Sequence, residues 1–168
     1  MTTGDGGRPL AGLPLVWLAF AFGMVHAAFS LYWALGGDLL LPTVGEWAVT
    51  LVTEHPALAA VTLAVVGLGK AAAATVPVLV AYRRMPWPRV WRGVSWVGGL
   101  ALIGYGALNV AVSGAVLAGV IRSDEGFDAD AMIGHAFLWD PLFLLWGAAL
   151  VAFLRVSRPG TRGPRSHR

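Results

Sequence analysis

The sequence predicts an all-α fold: a polytopic membrane protein built as a four-transmembrane-helix bundle. Three observations carry this. Of 168 residues, 57% are hydrophobic and 12% charged, against about 25% charged in a typical soluble domain. The mean hydropathy is +0.70, so too little polar surface exists to cover a water-soluble globule. The apolar residues also fall into four long runs, and the charges between those runs alternate in sign.

A helix needs about 20 mostly apolar residues to cross a hydrocarbon core of about 30 Å. The first run extends from about Leu10 to Leu35, the second from Ala57 to Tyr82, the third from Trp91 to Ile121 and the fourth from Ala131 to Val156. The runs are too long for membrane strands and lack their apolar/polar alternation. Span one competes with a cleavable signal peptide, because Arg8 precedes it and Val25-His26-Ala27 resembles a small-residue cleavage site. Its apolar run exceeds the usual 7–15 residues of a signal core, which favours a retained span.

Loop charge sets direction. Arg83, Arg84, Arg89 and Arg92 lie between spans two and three without an acid. Arg155, Arg158, Arg162, Arg165 and Arg168 follow span four. The other two loops are acidic, with Asp38, Glu46 and Glu54 in one and Asp124, Glu125, Asp128 and Asp130 in the other. Short basic loops stay cytoplasmic, so both termini are expected there, in a multi-pass protein of the cell membrane. Residues 1–9 are expected as a flexible cytoplasmic start, 10–156 as the transmembrane domain and 157–168 as a basic cytoplasmic tail. This placement also explains the +3 charge without nucleic acid as a partner.

There is no cysteine, which excludes disulfides, thiolate metal sites and thiol redox chemistry. No cofactor motif is present, and no metal or cofactor is expected. Ala107, Ala111, Ala115 and Gly119 recur at every fourth position of span three. Small residues so spaced let helix backbones approach; tight packing within the bundle is the plain reading, and a homo-oligomer through this face is the alternative.

Charged groups inside spans cost at least about 2.5–3.5 kcal/mol each, and the chain has two, Lys70 and Asp140. With them go His26 in span one, His135 a turn outward of Asp140, and the stripe Tyr105, Asn109 and Ser113 at i, i+4 and i+8 in span three. At about 1.5 Å per residue, His26, Asp140 and Asn109 fall roughly 13–18 Å from the outer boundary, with the Lys70 Cα at about 21 Å. Helical side chains lean toward the N-terminus, which in span two is outward. Lys70 is therefore expected to rise toward Asp140 and His26, in a polar pocket slightly outside the midplane. Pro141 removes a backbone donor and clashes with the Phe137 carbonyl, and biases Asp140 away from helical geometry. Span four is thus expected to be either kinked at Asp140 or broken and restarted there.

Lys70 is the only lysine beside eleven arginines, and lysine, unlike arginine, can give up its proton when desolvated. Asp140, Lys70 and His26 are accordingly the candidate catalytic residues, with Asp140 as general acid. Asn109, Tyr105, Trp33, Trp139, Phe29, Ser113 and His135 are the candidate substrate-binding residues. Phe29, Ser30 and Trp33 follow His26 at i+3, i+4 and i+7, and Trp139, Phe143 and Trp146 follow helical spacing beside Asp140; aromatic faces stabilise cations. The competing plain readings are an interhelical Lys–Asp tie and aromatic packing.

The segments His26-Ala-Ala-Phe-Ser-Leu-Tyr-Trp-Ala-Leu-Gly-Gly37 and His135-Ala-Phe-Leu-Trp-Asp-Pro-Leu-Phe-Leu-Leu-Trp146 resemble those of a family of small actinobacterial four-span membrane proteins with no assigned function. The resemblance implies the four-span fold and supplies no activity. Three functions are then in competition. One is an isomerase or cyclase acting on a lipophilic small molecule by proton transfer. Another is a carrier or transporter subunit, and the third an accessory protein whose Lys–Asp pair is structural.

Overall fold

A computed structural model of the chain describes residues 12–122 and 126–157. The N-terminal segment 1–9 and the tail from Arg158 onward, with Asp124 and Glu125, lie outside the described residues. Among the described residues six α-helices follow in order: α1 (Leu13–Ala34), α2 (Glu46–Glu54), α3 (Pro56–Ala81), α4 (Pro88–Leu117), α5 (Ala129–Gly134) and α6 (Asp140–Val156). Four helical segments are long and apolar enough to cross a membrane: α1, α3, α4 and the continuous stretch Ala129–Val156.

Local chemistry sets the ends. Proline stands in the first turn of α1, α3 and α4, where its missing N–H would have no partner anyway. Asp128 caps α5, its Oδ1 accepting from the Ala131 N–H at 3.0 Å. The third span was expected to reach Ile121 but its helix ends at Leu117. Gly119 adopts the left-handed conformation (φ 71°), and the Val120 N–H folds back to the Ala115 carbonyl at 2.9 Å, a glycine-terminated stop.

The fourth span is not broken and restarted at Asp140. Residues His135–Trp139 make a π-helical turn that runs directly into α6. Asp140 stays helical at φ −78° and ψ −32°, so the expected bias away from helical geometry is overridden. The wider i→i+5 turn moves the carbonyls that an α-helix would press against the Pro141 ring. The proline is absorbed without breaking the span.

α1 packs against α3 and α6, and α4 packs against α6, while α3 and α4 touch little. Glycines make the close approaches. A Cβ on Gly106 would meet the Asp140 carbonyl at 2.6 Å, one on Gly147 the Gly99 carbonyl at 2.6 Å, and one on Gly23 the Ala74 Cβ at 2.6 Å. The tight face of α4 is therefore Ser95, Gly99, Gly106 and Ser113, all buried. The expected packing stripe is not used this way: Ala107 and Ala111 are exposed on the outside of the bundle and Gly119 lies past the helix end. One core, around Val16, Val78, Trp146 and Phe153, joins α1, α3 and α6. A second, of Trp33, Leu41, Ala48 and Trp139, joins the bundle to the loop after α1. That loop carries a 3-10 turn (Leu41–Val44) and α2, and is tied to the fourth span through Trp139 Nε1, which donates to Thr43 Oγ1 at 3.0 Å.

Candidate functional site

The polar residues singled out in the sequence fall into two groups that α6 separates. The first surrounds Asp140, which is 1% exposed. The π-turn brings His135 onto it, with His135 Nδ1 and Asp140 Oδ2 in hydrogen-bond contact at 2.7 Å. Among the described residues no other acid is this close to a basic side chain. Asp140 Oδ1 is buried with no partner in hydrogen-bond geometry. Asn109, on α4, lies within electrostatic reach of that carboxyl, while its Nδ2 donates to the Tyr105 carbonyl at 3.1 Å. Ser113, one turn further along α4, is buried.

The second group gathers on the Phe143 ring. His26 stacks on it with centroids 3.8 Å apart and planes at 15°, and Tyr105 meets it edge-on at 5.7 Å. The Lys70 ammonium lies 5.5 Å from the ring centroid, within cation–π range. His26 Nε2 reaches the Trp139 carbonyl at 3.0 Å. A carbonyl only accepts, so that nitrogen carries the proton and Nδ1 is the acceptor of the neutral ring.

Lys70 does not meet Asp140. Its ammonium donates instead to Ser30 Oγ at 3.0 Å, because α3 packs on α1 and diverges from α4, the helix that Asp140 backs onto. The expected convergence therefore holds for Lys70 and His26, which share Phe143, and fails for the Lys70–Asp140 pair. Trp33, Phe29 and Trp139 form an aromatic cluster with centroids 5.1–5.7 Å apart, both others meeting Trp139 edge-on. It belongs to the second core rather than to an open site.

Where α3 and α4 diverge, a groove of about 740 Å³ remains, with α6 as its floor. Lys70, Tyr105 and Phe143 line one end; Pro77, Trp91 and Leu150 line the other. Gly69 and Ala73 on α3, and Gly98 and Ala101 on α4, form its walls. A Cβ added to Gly69 or Gly98 would meet nothing within 4 Å. Small residues here keep helices apart from contact, the reverse of Gly99 and Gly106 on the adjoining face. Asp140, His26, His135 and Asn109 do not line the groove. Two contributors escaped the sequence reading as site residues, Ser30 and Phe143. Both were signalled by spacing: Ser30 at i+4 from His26, Phe143 at i+3 from Asp140.

Fold and site together define a bundle of four helical segments long and apolar enough to cross a membrane, with a groove between two of them that holds one lysine. The family model described as "Protein of unknown function (DUF3995)" matches residues 23–150, and the chain belongs to that family. No curated protein and no solved structure matches.

Proposed function

We propose that this protein takes a lipophilic small molecule from the bilayer into the α3–α4 groove, where Lys70 meets its polar part. The observation that carries the reading is the groove itself. Its volume, about 740 Å³, falls within the 300–1,000 Å³ typical of small-molecule sites, and its walls are apolar apart from a few polar groups, chiefly at one end. Intramembrane ionisable residues are functional candidates by default. The proposal places the arginine end of the bundle, from Arg83 to Arg92, on the cytoplasmic side.

Gly98→Leu tests it without touching Lys70. The leucine fills the groove where a Cβ meets nothing, and Gly104→Leu, equally unobstructed but outside the groove lining, is its control. Protein purified from native membranes is extracted and its lipophilic contents compared by mass spectrometry. A species held by wild type and Gly104→Leu and lost from Gly98→Leu is expected. Equal retention by all three would sink the proposal.

A second reading, proton transfer on the bound molecule as in an isomerase or cyclase, is favoured by Lys70 and Tyr105 at one end of the groove. Asp140 stands off the groove, so Lys70 takes the acid–base role that the sequence suggested for Asp140. Incubation of the protein with a native lipid extract in D2O should place deuterium in a lipophilic product. Equal incorporation by Lys70→Met would remove this reading.

A further inference from the structure

The charge at the groove's polar end narrows the class of molecule it takes. Lys70 is a cation inside a membrane span, and a charge there is costly unless it is paired. Its close neighbours are neutral: the Ser30 hydroxyl at 3.0 Å and the face of Phe143 at 5.5 Å. No carboxylate among the described residues lies within ion-pair distance of it. Asp140, the only acid in the interior of a span, is engaged by His135. Asp38, Glu46, Glu54, Asp128 and Asp130 all stand outside the four spans or in the first turn of the last. Tyr105 adds a hydroxyl at the same end. The groove thus holds a positive charge and the Tyr105 hydroxyl at one end, and no carboxylate among its lining residues.

The shape continues the argument. From Tyr105 the lining runs along α4 to Trp91, fourteen residues or about 21 Å at 1.5 Å per residue. Away from Lys70 the lining is alanine, glycine, valine, proline, leucine and tryptophan, with one hydroxyl, that of Ser95, which is donated to the Trp91 carbonyl at 2.8 Å. Because α3 and α4 touch little, the groove is open sideways to the bilayer. A molecule that matches it has an anionic head and a long hydrocarbon body.

We infer that the ligand is a lipophilic monoacid, its carboxylate seated on Lys70 beside Tyr105 and its chain laid along the groove toward Trp91. This rests on the groove being a small-molecule site, and it adds the sign of the ligand's charge and its direction. The carboxylate would complete an ion pair that the chain itself leaves open.

Lys70 is the only lysine, so lysine labelled with 13C at Cε gives one side-chain resonance, from the site itself. The full chain in phosphatidylcholine nanodiscs is titrated with palmitate, hexadecanol and hexadecylamine. The expected result is a saturable shift with palmitate at an affinity at least about tenfold above either neutral or cationic analogue. Gly98→Leu should keep the resonance and lose the shift. Equal response to palmitate and hexadecanol overturns the acid head while leaving the groove as a lipophile site. No response to any probe, in wild type as in Gly98→Leu, overturns both. A shift that follows protein-to-lipid ratio and not palmitate marks a second copy of the chain in the groove, and also overturns the inference.

Discussion

Lys70 and Ser30, forty residues apart on α3 and α1, are joined by a 3.0 Å hydrogen bond from ammonium to hydroxyl. Ser30 is 1% exposed, so the acceptor is dry and the bond holds the one lysine at the mouth of the groove.

The two residues should therefore be energetically coupled. Hydrogen bonds to charged groups contribute about 1.5–3 kcal/mol. Ser30→Ala is expected to destabilise the wild-type chain within that range and to cost less than about 1 kcal/mol in a Lys70→Met background. Thermal unfolding of the four proteins in one detergent measures the cycle. Equal costs in both backgrounds would mean the bond does not form.

The Asp140–His135 pair should be more costly to break than to replace. Removing one partner so that a buried hydrogen-bonding group is left unsatisfied costs about 1–3 kcal/mol, whereas exchanging both for apolar residues can be nearly neutral. His135→Leu alone should strongly destabilise the chain, and His135→Leu with Asp140→Leu should recover most of the loss. The same unfolding assay decides it. A double variant no better than the single one contradicts this account of the pair.

Glycine substitutions should divide by face rather than by helix. At Gly106 a Cβ would meet the Asp140 carbonyl at 2.6 Å, and backbone cannot yield as a flexible side chain does. Overpacking of this kind costs about 1–3 kcal/mol. Gly104→Ala, two residues away in open space, should gain about 0.5–1 kcal/mol from helix propensity. Opposite signs in unfolding midpoint are expected, and matching signs would contradict the packing described for α4.

Span number was legible because it depends on summed hydropathy, a property that no tertiary contact alters. The meeting of His26 and Lys70 was legible too, since it follows from counting residues along antiparallel spans: both reach the Phe143 ring. Azimuth was not. Whether Lys70 faces Ser30 or Asp140 depends on which helices are neighbours, and loop charge says only which way each span runs. The same limit misassigned the small residues of α4. Spacing of four marked Ala107 and Ala111, while the buried face runs through Gly99, Gly106 and Ser113 at intervals of seven. The π-turn was hidden because Pro141 signals only that α-geometry fails there, and not which geometry replaces it.

The orientation can be tested directly because the chain has no cysteine. A single introduced thiol is then the only target for a membrane-impermeant maleimide. Thr53 lies at the end of α2, and Trp87, which is 74% exposed, lies in the arginine-bearing connection between α3 and α4. Under the positive-inside rule, Thr53→Cys should be labelled on intact cells lacking any outer permeability barrier. Trp87→Cys should be labelled only after the membrane is opened. The reverse pattern would invert the topology, and with it the leaflet toward which Lys70 is displaced. The groove and its charge would stay as described, but its polar end would then face the cytoplasmic leaflet. An acid in that leaflet would then have its head beside Lys70 without having to turn over in the bilayer.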